Sequence, residues 1–212
     1  MSDKIYLNPT PVRIWHWLNA FGFIALILSG IQIRFPDYVN LFGSYRAAIR
    51  LHDTAGIVVS FSFLLWLGYY LLVAHKMRQL YMPTLDDLSH GMPRQAKYYF
   101  LTYFLGAENP HHPDPAHKFN ALQKSAYLVI MMVLVPLVIG SGLLLLNPAS
   151  LRGLVLFLGG IKVIATAHFL LACTMCAFLF THVYLGTLGR TPLEHFKPMW
   201  TGWEEEEAKH HE

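Results

Sequence analysis

Twelve histidines occur in the 212-residue chain, and four of them stand where a polar ring is out of place. His16, His52, His168 and His182 lie within or at the ends of long apolar stretches. An ionisable side chain at membrane depth is costly unless something engages it, and a neutral imidazole is a common metal ligand. Spacing narrows the chemistry. His168 and His182 are 14 residues apart, which at about 100° per residue falls about 40° short of four full turns. Both therefore project from nearly one helix face, about 21 Å apart along the axis. Two such ligands, each opposed by a histidine on another helix, would hold two stacked groups across a hydrocarbon core about 30 Å thick. Haem suits the role because it is large, flat and apolar, and its iron accepts a neutral imidazole on each side.

The elements that must position these residues are membrane helices. The chain is 54% hydrophobic and only 14% charged, against about a quarter charged in a soluble domain. Its mean hydropathy is +0.37. Residues 14–33, 55–74, 126–146 and 163–186 each reach the roughly 20 apolar residues that a spanning helix needs. The fold expected is all-α, an integral membrane four-helix bundle in one domain over residues 1–212. Its helices are expected at about 13–35, 50–75, 119–146 and 164–188, with a cytoplasmic loop over 76–118. Pro9 and Pro11 are expected to delay the first helix, Pro36 to end it and Pro136 to kink the third. The first span is longer than a secretory h-region and no small-residue cleavage motif follows it, so it is expected to be retained. Cys173 and Cys176 form C-T-M-C followed by Ala177. The C-x-x-C-H signature of covalent haem attachment is therefore absent, and the two cysteines read as packing residues.

Charge asymmetry orients the bundle. The N-terminal segment, the loop after the second span and the C-terminal tail hold 11 of the 16 Lys and Arg residues. Arg34, Arg46, Arg50, Arg152 and Lys162 occupy the opposite connections. The positive-inside rule then puts both termini in the cytoplasm. With that orientation the histidines fall into two pairs matched in depth, His52 with His168 near the outer face and His16 with His182 near the inner one. Gly30, 14 residues after His16, shares its face at the depth of the outer pair, where a missing side chain lets a porphyrin approach closely. His75 is 23 residues from His52 and about 140° off that face, so it is no ligand. His111 and His112, in "PHHP", have no partner spacing that suggests a metal. The aromatic segment 94–106 reads as a helix lying in the interface. The apolar outer connection 151–162 reads as lying in the interface or against a partner. No basic stripe with interleaved aromatics points to nucleic acid, and none of the four windows contains the Asp or Glu expected of a transporter.

With these residues in place the chain resembles the di-haem cytochrome b subunits of membrane-bound formate dehydrogenases, nickel–iron hydrogenases and thiosulfate reductases. The motifs are "RIWHWLNA" at 13–20, "RLHDTAGIV" at 50–58, "KFNALQKSAY" at 118–127, the His168–His182 pair and "TPLEHFKPMWTGWEE" at 191–205. The compact size and the closing segment are most similar to the thiosulfate reductase type. The resemblance implies two haems b, the outer on His52 and His168 and the inner on His16 and His182. It also implies a site for menaquinone or ubiquinone near the inner haem, at the start of the third helix. Family members often read N-A-G-Q-K there, where this chain has Asn120-Ala121-Leu122-Gln123-Lys124. Asn120 and Gln123 carry over as candidate hydrogen-bond partners for the quinone. His117, one helical turn before Asn120, is either a candidate on the proton route or a solvated loop histidine.

The function expected is a membrane electron-transfer subunit in a bacterial-type cytoplasmic membrane. It would pass electrons between an outer oxidoreductase partner, bearing iron–sulfur or c-type haem centres, and quinone on the cytoplasmic side. The alternative is a stand-alone di-haem membrane oxidase reducing quinone from a small outer substrate, against which the short outer loops count.

Overall fold

The computed structural model describes residues 4–107, 109–111, 113–114, 117–189 and 191–205. Arg190, His112, Lys209, His210 and His211 lie outside the described residues. Among the described residues four helices are long and apolar enough to span a membrane: α1 (Thr10–Arg34), α2 (Tyr45–Val73), α5 (Ala121–Leu146) and α7 (Ile161–Gly186). Between them lie α3 (Met77–Tyr81), α4 (87–105) and α6 (Arg152–Phe157), and α8 (Lys197–Thr201) follows. Two short strands, β1 (Lys4–Tyr6) and β2 (Trp203–Glu205), pair antiparallel.

Several helix boundaries differ from expectation for local reasons. The prolines do not delay α1. Pro9 is its N-cap and Pro11 falls in its first turn, where the missing N–H has no intrahelical acceptor to lose. Helix α2 starts at Tyr45 because Ser44 caps it, its hydroxyl oxygen accepting from Ala47 N at 3.1 Å. It ends in a π turn over Tyr69–Val73, after which His75 adopts φ 52°, a left-handed conformation that stops a helix. Helix α7 starts at Ile161, next to Gly160 at φ +90°. In α5 a π turn over Ile130–Leu134 directly precedes Pro136. Wider i→i+5 bonding there accommodates a residue that lacks an N–H.

Helices α1 and α2 form one close hairpin, and α5 and α7 the other. A Cβ added at Gly22 would meet Val59 Cγ2 at 2.6 Å, so glycine is what lets α1 approach α2. Asn19 Nδ2 donates to Ser62 Oγ at 2.8 Å and Trp15 Nε1 donates to Ser62 O at 3.1 Å, tying the same two helices. Phe63, Trp66 and Tyr70 of α2 pack with Leu80 and Tyr81 of α3, Ile130 and Val135 of α5 and Met175 of α7. Outward residues such as Phe61, Leu64 and Leu72 stay exposed, as an apolar solvent permits. At one end, buried Gln32 accepts from Leu41 N and Phe42 N and donates to Ser44 O, holding the loop between α1 and α2. At the other end, the β1–β2 pair draws the two ends of the described chain together. Trp17 Nε1 donates to Met199 O at 2.9 Å and its ring packs on Trp200.

Candidate functional site

The two hairpins are bridged by histidines. His16 of α1 faces His182 of α7 with ring centroids 6.2 Å apart, and His52 of α2 faces His168 of α7, also at 6.2 Å. An imidazole nitrogen binds a metal at about 2 Å and its ring centre lies about 1 Å further back, so two rings clamping one ion have centroids about 6 Å apart. Both pairs have that spacing, and α7 supplies one member of each. Among the described residues no three His, Cys, Asp or Glu side chains gather as a metal site. Two imidazoles alone suit an ion that brings its own equatorial ligands, which is what a porphyrin provides.

Hydrogen bonding assigns the ring nitrogens of the His52–His168 pair. Ser29 Oγ donates its one proton to Ala25 O at 2.6 Å and lies 3.0 Å from His52 Nδ1. Its proton being committed, the hydroxyl accepts from an Nδ1–H. Ser141 repeats the arrangement, donating to Leu137 O at 2.8 Å and lying 2.9 Å from His168 Nδ1. In both rings Nε2 then keeps the free lone pair that a metal needs. The glycine after each serine completes the seat. A Cβ at Gly30 would lie 3.4 Å from His52 Cε1, and one at Gly142 would lie 3.2 Å from His168 Cε1. Gly30 thus makes room for a ligand ring in the first instance. Ser29, Ser141 and Gly142 were missed in the sequence, where the only signal is a repeated Ser-Gly at 29–30 and 141–142.

His16 and His182 sit in a different environment. The buried Nδ1 of His16 has no hydrogen-bond partner among the described residues. Phe178 packs on the His182 ring with centroids 5.7 Å apart. Both histidines line a cavity of about 2230 Å³ that runs from mid-bundle to the end where β1 and β2 pair. A typical small-molecule pocket is about 300–1,000 Å³, so this space exceeds the needs of one ordinary ligand.

Asn120, Leu122 and Gln123 line that cavity as well, but the first and last have structural work. They form a capping box for α5: Gln123 N donates to Asn120 Oδ1 at 2.9 Å, and Asn120 N donates to Gln123 Oε1 at 3.1 Å. Asn120 Nδ2 also donates to Tyr99 OH at 3.2 Å. Asn-x-x-Gln ahead of an apolar run is itself a helix-start signal. His117 is exposed, bonded to Asp114, and absent from the cavity wall. Lys118 does line it, donating from Nζ to Asn8 Oδ1. Burial holds its ammonium down to about 8, with Glu204 opposing. Cys173 and Cys176 are both free thiols; Cys173 is exposed and Cys176 half-buried, so the buried packing role expected of the two is not what Cys173 has.

The chain is similar to several known proteins. A putative cytochrome YdhU from Escherichia coli K12 is 33% identical over 207 residues, 95% of this chain and 75% of its own length. A putative protein-methionine-sulfoxide reductase subunit YedZ1 from Azospira oryzae is 26% identical over 198 residues, 89% of this chain and 94% of its own. The cytochrome b556(fdo) subunit of formate dehydrogenase from Escherichia coli K12 is 35% identical over 66 residues, 30% of this chain and 31% of its own. No solved structure matches. A family model described as prokaryotic cytochrome b561 matches residues 8–202, which include all four bridging histidines and all four long helices. The chain belongs to that family and is a multi-pass electron-transfer cytochrome b of the bacterial inner membrane.

Proposed function

We propose that the chain carries two haems b as one domain over residues 1–212, with both termini cytoplasmic, and relays electrons between an outer oxidoreductase partner and membrane quinone. His52 and His168 hold the outer haem, and His16 and His182 the inner one. The observation that carries this reading is the 6.2 Å spacing of both imidazole pairs, which are set about 21 Å apart along α7. Haem supplies reversible one-electron chemistry. The chain's own residues ligate it, hold the ligand rings in one tautomer and enclose the inner site. Gly30 and Gly142 keep the space beside the outer rings clear, and Gly30 lets a porphyrin approach α1.

Menaquinone or ubiquinone is proposed to occupy the part of the large cavity bounded by Asn120 and Gln123. The oxygens of both side chains are used in the capping box. Gln123 Nε2 therefore becomes the donor of interest, with Tyr99 OH beside Asn120. The relative named as a formate dehydrogenase cytochrome b556 subunit supports an oxidoreductase partner, here one with iron–sulfur or c-type haem centres.

The test is reoxidation of the dithionite-reduced, detergent-purified chain by menaquinone and ubiquinone analogues, followed in the haem absorbance. One analogue should reoxidise it, and Gln123→Leu should slow that reaction about tenfold, as loss of a hydrogen bond worth about 1.4 kcal/mol would. Reoxidation by neither analogue would overturn the quinone assignment.

A further inference from the structure

The two ligand pairs bridge the same hairpins at the same centroid distance, yet they differ in what holds the second ring nitrogen. At the outer pair both Nδ1 atoms lie on a serine hydroxyl that is itself locked to its own helix, Ser29 on Ala25 O and Ser141 on Leu137 O. At the inner pair the buried Nδ1 of His16 has no such partner among the described residues. A ligand imidazole that donates from Nδ1 to an oxygen becomes a stronger base toward its metal. Stronger donation stabilises the ferric state more than the ferrous one, and second-shell hydrogen bonding is one of the protein's controls on haem potential.

On the reading that both pairs hold haem, we propose that Ser29 and Ser141 are potential-setting residues which make the outer pair the lower-potential site. Each acts through a ligand histidine rather than on the haem, so both are positioning residues. The arrangement is repeated: each hairpin carries a Ser-Gly on its first spanning helix and seats an outer histidine of its second, His52 for one and His168 for the other. One serine alone would be ordinary helix packing; the same device on both sides of one site is a built feature.

A second difference acts in the same direction. The cavity of the inner pair is lined by Lys4, Lys118 and Lys197 against Glu194 and Glu204, and a surplus of nearby cations favours the more reduced, less positive iron. Arg34, at the outer end, has its guanidinium over Phe35 and Phe169 but is exposed, where water and salt screen it. Moving one electron from the outer to the inner pair is then downhill and requires no third reactant.

The experiment is a spectroelectrochemical titration of the haem-loaded chain in detergent, with Ser29→Ala, Ser141→Ala and Ser141→Thr as variants. Wild type should give two one-electron waves. Each alanine variant should raise the lower wave by about 59 mV, a tenfold loss of ferric preference for a one-electron couple, and leave the upper wave in place. Ser141→Thr, which keeps the hydroxyl, should restore the lower wave. Movement of the upper wave, or of neither, in variants that still bind two haems overturns the assignment to Ser29 and Ser141. A wild-type chain with fewer than two haems overturns instead the reading on which the assignment rests. The serines sit on separate helices, so failure of one alanine variant to fold leaves the other to decide.

Discussion

Gly142→Ala puts the seat of the outer ligands under direct test. Replacing glycine by alanine inside a helix ordinarily gains about 0.8–1.0 kcal/mol in propensity. At 142 the new Cβ would stand 3.2 Å from His168 Cε1 and 3.8 Å from its Nδ1. The ring must give by a few tenths of an ångström, a rotation well short of the roughly 30° that costs about 0.5–1.5 kcal/mol. The strain therefore removes only part of the propensity gain, so the melting temperature should rise less than at a glycine with open space around it. Haem binding has no such compensation. The ring that shifts is bonded to Ser141 at 2.9 Å and opposed by His52 at 6.2 Å, which leaves little slack around an ion bound at about 2 Å. Outer haem affinity should fall about tenfold, or 1.4 kcal/mol. Gly140→Ala is the internal control, because nothing stands within 4 Å of a Cβ there. It should keep both haems and gain close to the full propensity term. Gly30→Ala, with its Cβ 3.4 Å from His52 Cε1, should fall between them. Haem stoichiometry by pyridine haemochrome and thermal unfolding in detergent read both quantities. Identical haem retention in Gly140→Ala and Gly142→Ala, with equal stabilisation, would refute the steric reasoning.

Asn120→Ala removes the α5 cap and the donor to Tyr99; it should cost about 1 kcal/mol, read as a lower melting temperature even where haem content is unchanged. Lys124 Nζ pairs with Asp87 Oδ2 at 3.2 Å with the lysine nearly buried, so Asp87→Asn should destabilise by about 3 kcal/mol by stranding that charge. Burial pushes the Asp87 carboxyl up, but bonds from Thr84 and Lys124 outweigh it and hold it below the usual range. The stability it contributes is present above the ordinary carboxylate range and is lost as pH falls through the depressed value; acid melting curves of wild type and Asp87→Asn should converge there. Lys118 runs the other way: burial lowers it to about 8, so the unfolded chain binds its proton more tightly. Stability should rise between about pH 8 and the usual lysine range near 10.4, and Lys118→Met should flatten that rise.

The histidine pairs were legible in the sequence because depth and angle are set by short-range arithmetic. A residue's place on a helix follows from about 100° and 1.5 Å per step, and the positive-inside rule orients the helices. Helix ends were less legible. Pro11 reads as a breaker in general but is harmless in a first turn, and Ser44 reads as a loop residue until its cap is seen. Ser29 and Ser141 could not be singled out, because serine and glycine are common in membrane helices for packing alone. Their role depends on which neighbouring helix presents a ring at 3.0 and 2.9 Å. Asn120 and Gln123 were read for a ligand, while the capping pattern in the same four residues went unused. Pairing of Lys4–Tyr6 with Trp203–Glu205 joins the two ends of the described residues, and three residues per strand carry too little pattern to announce it.

Haem stoichiometry across the two pairs tests the central claim most directly. Pyridine haemochrome assay and reduced-minus-oxidised spectra would be taken on the purified chain, on His182→Ala, on His52→Ala and on the double variant. Two haems b in wild type, about one in each single variant with a different residual spectrum, and none in the double variant is the predicted result. A folded wild-type chain with one haem, or single variants that lose the same haem, would contradict the assignment of His16 with His182 and His52 with His168.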